Sequence, residues 1–332
     1  MTTPTTPGRD EAREQALDLI REARSFLLVG HVRPDGDCIG AQGALYHGLR
    51  SLGKEVAIVN PHAPAPEFSY LSEACPYGVF EGGELPAHDV VCLLDFNDLD
   101  RTGAMADPIR NAGSKMLVVD HHPPSVEPFW DAAFVDVRAS ATGLLVWRIL
   151  GALGAEVNDV AAKAIFTSIV TDTGWFRYSN TDAETLEVGT EMVRRGVDPA
   201  TMYQAIYQRK PITEPVALAA LLARAEYFSE GRLAVVDQPL GDPVLENLED
   251  SDAVLDILRS VGSVEVVLYI RELKPGLCKL SARSKTSYDV NRLARGFGGG
   301  GHAKASGATI EGDLPEVRER LIHAAEEGFQ RT

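Results

Sequence analysis

The chain has 332 residues, of which 45% are hydrophobic and 24% are charged, and its formal net charge is −16 at pH 7. This length allows two domains with separate cores, whereas the apolar runs are too short for the roughly 20 residues of a membrane span. The negative charge disfavours binding of long nucleic acids in general. The polar stretch 1–15 lacks the apolar segment of a signal peptide. Four scattered cysteines without a C-x-x-C pair indicate free thiols, so we expect a cytoplasmic protein with no membrane partner.

The charge is unevenly distributed along the chain. Residues 271–304 contain eight Lys or Arg and two Asp or Glu, although the chain as a whole is acidic. A local anion site and a solvated basic face are both compatible with this segregation. The charge distribution alone does not distinguish the anion site from the solvated face.

The first half of the chain alternates predicted helices and strands. Apolar spacing predicts a helix over 11–24, and the run SFLLVGH after it predicts a strand buried on both faces. A helix ending at Gly53 and a strand at KEVAIVN follow. Two further apolar runs, DVVCLLDFND and KMLVVDHHPP, end abruptly in acids or histidines, and later helices are predicted at TGLLVWRILGALG, VAAKAIFTSIVTDTG and TLEVGTEMVRRG. This alternation predicts a parallel sheet with crossover helices.

The pattern changes after Val197. Helices interrupted by Pro211 and Pro215 lead to strand-like runs at GRLAVVDQ, SVEVVLYIRE and LCKLSARS, with a helix at DAVLDILRSVG. We therefore predict an α/β chain with a parallel-sheet domain over 1–195, a helical linker over 196–225 and a smaller α+β domain over 226–332.

Acids and histidines follow the predicted strands at their carboxyl ends or lie at a helix end. They are Asp35, Asp37, Asp95, Asp120, His121, His122 and Asp172. In an open parallel sheet such positions converge on one crevice, where ligands bind.

Each position alone has a plainer interpretation. Pro-Asp-Gly in HVRPDGDCIG is common turn chemistry, Asp95 suits a helix cap, the two histidines could lie on the surface before Pro-Pro, and Asp172 could be a loop acid. Four such coincidences would have to hold independently. A cluster of carboxylates and imidazoles explains them together, and without thiolates it suits Mn²⁺ or Mg²⁺, with Zn²⁺ or Co²⁺ possible. So many acids in one crevice would repel one another without cations, which favours two metal ions.

Five motifs resemble the DHH phosphoesterase superfamily, in family order and over nearly the whole chain. They are GHVRPDGDCIG, LLDFND, VVDHHPP, TDTGWFRYSN and, for a DHHA1 domain, RSKTSYDVNRLARGFGGGGHAKASGA. The length resembles the subfamily of nanoRNases (oligoribonucleases) and pAp phosphatases. RecJ exonucleases are similar in their core but longer, with an OB-type domain that we do not find in the sequence.

The resemblance implies two divalent metal ions, with Mn²⁺ favoured over Mg²⁺ or Co²⁺. One set of metal ligands would be His31, Asp35 and Asp95, and the other Asp37, Asp95, His121 and Asp172. His122 would contact the scissile phosphate or help to protonate the leaving oxygen, and Asp120 would orient the ligands. The expected reaction is hydrolysis of short oligoribonucleotides, dinucleotides or 3′-phosphoadenosine 5′-phosphate by metal-activated water. The resemblance also implies a homodimer.

The GGGGH segment lies within the basic stretch. Adjacent glycines can be a flexible linker, but bare backbone N–H groups can also approach a phosphate closely. We expect the substrate-binding residues to be Arg283, Gly299, Gly300, Gly301 and His302, with Lys285 adding charge.

Two departures from the family pattern and three alternative functions stay open. Leu144 stands where the family often has an acid, and AKASG replaces the more usual two alanines before glycine. The alternatives are a RecJ-like exonuclease for single-stranded DNA, a cyclic dinucleotide phosphodiesterase and a nucleotide sensor without catalysis.

Overall fold

The computed structural model describes residues 9–124, 126–243, 248 and 251–330. Backbone contacts divide the chain into two units, Met1–Arg209 and Lys210–Thr332. This division falls inside the linker predicted over 196–225, while the outer bounds of the predicted domains stay a prediction. The start of the polar N-terminal stretch, residues 1–8, lies outside the described residues.

The described part of the first unit contains a six-stranded sheet in the order β3-β2-β1-β4-β5-β6. Its strands are β1 Ser25–Val29, β2 Glu55–Asn60, β3 Tyr77–Val79, β4 Val90–Leu94, β5 Lys115–Asp120 and β6 Ala132–Val135. All five pairings are parallel, which confirms the predicted architecture. The central strands read as continuous apolar runs because both of their faces are covered. The short edge strands β3, with the sequence YGV, and β6, with the sequence AAFV, were not predicted.

Helices cover this sheet. They are α1 Arg9–Glu22, α2 Gly36–Ser51, α3 Ser69–Ser72, α4 Ala106–Asn111, α5 Thr142–Leu153, α6 Asp159–Asp172, α7 Ala183–Arg194 and α8 Pro199–Tyr207. Helices α2 and α6 pack closely at Gly40, where an added Cβ would lie 2.4 Å from the carbonyl oxygen of Ala164. This contact matters for the site because α2 carries Asp37 near its start and α6 ends at Asp172. No helix in the described ranges is both long enough and apolar enough to cross a membrane.

The second unit is the predicted smaller α+β domain. Its sheet has the order β11-β12-β10-β9-β8-β7, with β8 and β9 parallel and the other neighbours antiparallel. The strands are β7 Glu226–Phe228, β8 Leu233–Gln238, β9 Val266–Lys274, β10 Leu277–Ser284, β11 Gly300–His302 and β12 Ala305–Glu311. The helices are α9 Glu214–Leu222, α10 Ser251–Ser260, α11 Val290–Arg295 and α12 Leu314–Phe329. The end of the GGGGH segment is therefore an edge strand rather than a loop.

Candidate metal centre

The predicted acids and histidines of the first unit lie together at the carboxyl ends of β1, β4 and β5 and at the end of α6. Three groups of residues could each hold a metal ion, because the ligand atoms within a group all lie within 4.8 Å of one another. They are His31, Asp35 and Asp95; Asp37, His121 and Asp172; and Asp95, His121 and His122. The first two groups correspond to the two ligand sets expected from the sequence, apart from the sharing of Asp95.

Asp95 connects these groups because its two carboxylate oxygens face different histidines. One oxygen, Oδ2, lies 3.6 Å from Nε2 of His31, and the other, Oδ1, lies 3.6 Å from Nε2 of His121. Asp95 is buried, and its φ of 71° places it in the left-handed region, which aspartate tolerates better than most side chains. Strained backbone of this kind concentrates at functional sites. The carboxylate can thus serve two ligand sets at once.

Both histidines present an unsatisfied nitrogen to this space. Nδ1 of His31 donates to the carbonyl oxygen of Val32 at 2.9 Å, and Nδ1 of His121 donates to that of Ala139 at 3.1 Å. A carbonyl oxygen only accepts, so in a neutral ring Nδ1 carries the proton and Nε2 keeps its lone pair. Among the described residues, each Nε2 is buried with no hydrogen-bond partner. Burial also lowers the pKa of His31, which favours its neutral form.

Carboxylate oxygens complete the surroundings of both nitrogens. Nε2 of His31 lies 3.8 Å from Oδ2 of Asp35, and Nε2 of His121 lies 3.5 Å from Oδ2 of Asp37 and 3.7 Å from Oδ2 of Asp172. An orphaned buried nitrogen beside several carboxylate oxygens is costly on its own. A divalent cation would be a partner for both the orphaned nitrogen and the carboxylate oxygens. The hydrogen bond on Nδ1 of each ring also fits this role, since imidazoles that bind a metal usually carry a hydrogen bond on the other ring nitrogen. The donor set therefore fits the metal ions that the sequence predicts.

Asp35 caps a helix rather than forming the Pro-Asp-Gly turn that its sequence suggested, because Gly36 already belongs to α2. Its side chain caps α2 by accepting from the backbone N–H of Cys38 at 3.1 Å. The other carboxylate oxygen of Asp35 is the one that faces His31. Helix capping and metal ligation would use different oxygens of this carboxylate and are therefore compatible.

Electrostatic repulsion within the cluster is strong. Burial, followed by the charges of Asp37 and Asp35, raises the pKa of Asp95 well above its usual range. Burial and the charge of Asp37 also raise the pKa of Asp172 to about 7. Both shifts arise first from burial and then from neighbouring negative charge, and bound cations would relieve that repulsion.

His122 has a different environment from the other two histidines. Burial, the largest single effect, would lower its pKa, but the hydrogen bond from its Nδ1 to Oδ1 of Asp120, at 2.8 Å, and the negative charges of Asp120, Asp37 and Asp172 together raise the pKa. Asp120 is fully buried, which alone would raise its pKa, yet the contacts with His122 lower it. Nδ1 of His122 also lies 3.6 Å from Asp95 Oδ1. The shorter bond to Asp120 uses this nitrogen, which makes His122 a poor metal ligand through Nδ1.

Several supporting residues were missed by sequence reasoning. At the N-terminus of α5, the N–H groups of Thr142 and Gly143 donate to the Asp37 carboxylate at 2.8 and 3.2 Å, and the Ser168 hydroxyl also donates to it. The Thr142 hydroxyl donates to Asp95 Oδ1 at 2.9 Å. The S-x-T-G element in ASATG, directly before Leu144, was the available signal for these residues. Leu144 itself is fully buried in the core.

Two asparagines hold the remaining acids in place. Nδ2 of Asn97 donates to Asp120 at 2.6 Å. Nδ2 of Asn180 donates to the backbone carbonyl of Asp172 at 3.1 Å and contacts its carboxylate at 3.4 Å. Asn97 lies in the family motif LLDFND and Asn180 in the family motif TDTGWFRYSN. The sequence alone does not distinguish either asparagine from an ordinary loop residue.

The substrate-binding residues predicted in the second unit lie on the strands at either side of β12, except Gly299, which directly precedes β11. Arg283 on β10 and His302 on β11 are both paired in register with Ala305 of the intervening β12. Gly300, Gly301 and His302 are exposed. The Lys285 ammonium donates to the carbonyl oxygen of Val261 at 2.6 Å, just beyond α10, so its charge is partly engaged there.

Two of the glycines have a packing reason as well. A Cβ at Gly299 would lie 2.1 Å from the carbonyl oxygen of Gly307, and one at Gly301, whose φ is 138°, would lie 2.5 Å from that of Ala305. At Gly300 the nearest atom would be 4.0 Å away. Close pairing with β12 therefore explains Gly299 and Gly301, whereas Gly300 is not required by packing.

Comparison with known proteins agrees with the fold and the site. The DHH family N-terminal domain matches residues 25–171, and the DHHA1 domain matches residues 246–331. The chain is 33% identical over 310 residues to the bifunctional oligoribonuclease and PAP phosphatase NrnA of Thermus thermophilus, covering 92% of this chain and 90% of that protein. It is 27% identical over 295 residues to the protein of the same name from Bacillus subtilis, covering 86% and 89%.

A solved structure extends the likeness to both units. An exopolyphosphatase-related protein from Bacteroides fragilis matches with a TM-score of 0.84 and 25% identity, over 96% of each chain. The fold and the cluster of acids and histidines define a metal-dependent phosphoesterase. The chain belongs to the DHH family and carries a DHHA1 domain after its catalytic unit.

Proposed function

We propose that this chain hydrolyses phosphoester bonds in short oligoribonucleotides and in 3′-phosphoadenosine 5′-phosphate. The observation that carries the proposal is the position of Asp95, whose two oxygens face two imidazoles with unsatisfied nitrogens. The names of the T. thermophilus and B. subtilis relatives support the choice of substrates.

The proposed metal ligands are those expected from the sequence. They form two sets, His31, Asp35 and Asp95, and Asp37, Asp95, His121 and Asp172. Two divalent ions there would supply Lewis acidity towards the phosphoryl oxygens and lower the pKa of a bound water. Thr142 orients the shared carboxylate of Asp95, and Ser168 orients that of Asp37, through the hydrogen bonds of their hydroxyls.

His122 and Asp120 are proposed as the catalytic pair. The buried Asp120 carboxylate fixes the His122 ring and favours its protonated form. A protonated imidazole at the edge of the cluster can contact a phosphoryl oxygen or give a proton to the leaving oxygen. The bond from Nδ1 to Asp120 occupies that nitrogen, so in this role the ring would reach the substrate through Nε2.

Arg283, Gly299, Gly300, Gly301 and His302 are proposed to bind the substrate. Their support is the basic stretch 271–304 and the exposure of β11. A guanidinium and bare backbone N–H groups suit phosphate oxygens. The acidic remainder of the chain would repel a long polyanion more than a short one.

Product release with Mn²⁺ tests the proposal. The substrates to compare are 3′-phosphoadenosine 5′-phosphate, RNA dinucleotides, cyclic dinucleotides and a long single strand, with Asp95→Asn beside wild type. Asp100→Asn is the matched control, because Asp100 is close in sequence but has 76% of its side chain exposed and pairs with Arg110. Rapid cleavage of the short linear substrates, lost only in Asp95→Asn, is expected.

Other outcomes would change the assignment. Preference for the long strand would indicate a RecJ-like exonuclease, and preference for cyclic dinucleotides a cyclic dinucleotide phosphodiesterase. Tight binding of all ligands without turnover would indicate a sensor.

We also propose Mn²⁺ as the native metal, a homodimer and a cytoplasmic location. Oxygen and imidazole donors without thiolates support Mn²⁺, and four buried free cysteines suit a reducing compartment. The family resemblance alone supports the homodimer. Metal analysis of protein purified without added metal, light scattering after size exclusion and cell fractionation test the three points.

A further inference from the structure

Two side-chain amides form a fully buried pair beneath the candidate metal centre. Gln42 lies on α2, Asn60 is the last residue of β2, and both are 0% exposed. Nε2 of Gln42 donates to Oδ1 of Asn60 at 2.7 Å, and Nδ2 of Asn60 donates back to Oε1 of Gln42 at 2.9 Å. Amides in a core are costly unless they are paired, so a reciprocal pair needs an explanation beyond apolar packing.

The pair also holds the backbone immediately before His31. Oδ1 of Asn60 accepts from the N–H of Gly30 at 2.7 Å. The parallel pairing of β1 with β2 has its last registered pair at Leu28 and Ile58, so this side chain supplies an acceptor just beyond the paired strands. The backbone carbonyl of Asn60 is engaged elsewhere, accepting from the N–H of Phe80 at 2.9 Å.

The space around this bond is tightly filled. A Cβ at Gly30 would lie 2.5 Å from Sγ of Cys38 and 2.8 Å from Oδ1 of Asn60. Sγ of Cys38 in turn lies 3.6 Å from the carbonyl oxygen of Leu94, the residue before Asp95. The pair thus lies where the end of β1, the start of α2 and the end of β4 meet, and these three segments carry His31, Asp37 and Asp95.

We propose that the Gln42–Asn60 pair is a positioning element that sets the place of His31 relative to Asp95. Gln42 orients the Asn60 amide, and Asn60 anchors the N–H of Gly30. The backbone position of His31, the next residue, is therefore fixed. The part of this inference that concerns metal affinity rests on the proposed function, whereas the anchoring of Gly30 does not.

The test compares Asn60→Leu and Gln42→Met with wild type and with Thr167→Val. Thr167 is also fully buried, and its hydroxyl donates to the Lys163 carbonyl at 2.8 Å and lies 2.7 Å from the Tyr70 hydroxyl, so its valine variant controls for loss of buried hydrogen bonds elsewhere. Hydrogen exchange of the Gly30 amide in metal-free protein is the first readout, and Mn²⁺ binding by calorimetry is the second. Both are measured well below each variant's Tm.

We expect Gly30 to exchange about five- to tenfold faster in Asn60→Leu, as for loss of one buried hydrogen bond. One of the two Mn²⁺ affinities should fall about 10–100-fold, the range for loss of a residue that orients a metal ligand. Gln42→Met, which keeps the acceptor for Gly30, should show a smaller change in the same direction. Thr167→Val should change neither readout.

Unchanged Gly30 exchange and unchanged Mn²⁺ affinity in the folded variants would overturn the positioning role, as would equal losses in Thr167→Val. If Asn60→Leu does not fold, Gln42→Met decides by the same criteria. If wild type binds no Mn²⁺, the proposed function fails, and the exchange comparison still decides whether the pair anchors Gly30.

Discussion

The two regions that carry the predicted chemistry are built in opposite ways. In the first unit, His31, Asp37 and Asp95 are buried at the end of a parallel sheet, and Nε2 of His31 has no hydrogen-bond partner among the described residues. In the second unit, the segment Gly300–His302 is an exposed edge strand. Burial makes each interaction in the first region strong and sensitive to small displacements, whereas solvent weakens those in the second. Substitutions should therefore cause large losses in the first region and graded ones in the second.

The largest expected effect is at His122. In its proposed role, His122→Ala should lower kcat about 100–10,000-fold, the contribution of a positioned acid or base, while binding of the proposed Mn²⁺ ions should not change. Steady-state kinetics and calorimetry check this. Loss of one bound Mn²⁺ in the variant would instead make His122 a ligand with Asp95 and His121, the third cluster of the site.

Removal of metal should destabilise the first region. Ligand at about 100 times its Kd stabilises a fold by about 2.7 kcal/mol, so chelation should lower the Tm by about 5–10 °C. Differential scanning fluorimetry with and without EDTA measures the shift. Asp95→Asn should show little or no shift, since asparagine tolerates the φ of 71° but removes the shared charge. An equal shift in that variant would place the stabilising metal elsewhere.

The tight packing behind the first region can be broken at Gly40. Gly40→Ala would place a Cβ 2.4 Å from the Ala164 carbonyl and should cost about 1–3 kcal/mol by forcing α2 from α6. Gly151→Ala is the matched control, since that helical glycine has no neighbour within 4 Å of an added Cβ and should gain about 0.5–1 kcal/mol. Urea unfolding measures both. Destabilisation by both variants would contradict the packing argument.

The smallest expected effect is in the second region. Arg283→Ala should raise KM about tenfold with kcat nearly unchanged, because it would remove the proposed charge-assisted contact to the substrate. Lys285→Ala should change KM less, because the Lys285 ammonium is already engaged by the Val261 carbonyl. A fall in kcat with constant KM in Arg283→Ala would argue against a binding role.

Much of the first region was predictable because its signals are local. Continuous apolar runs predicted the central strands, and acids and histidines at their ends predicted the cluster, since parallel strands end at one edge. The structure brings His31, Asp35, Asp37, Asp95, His121 and Asp172 within a few ångströms of partners in the expected sets. The second region was less predictable, because adjacent glycines are compatible with a linker, a loop or the edge strand that forms.

The sequence by itself determined the fold class, the family and the residue types of the cluster, because periodicity and motif order are properties of neighbouring letters. Only the tertiary structure decided how the acids are held. Thr142 donates to Asp37 across 105 positions in the chain, and Gln42 pairs with Asn60 across 18. Which buried polar groups meet depends on how helices and strands pack, and no short stretch of sequence contains that information.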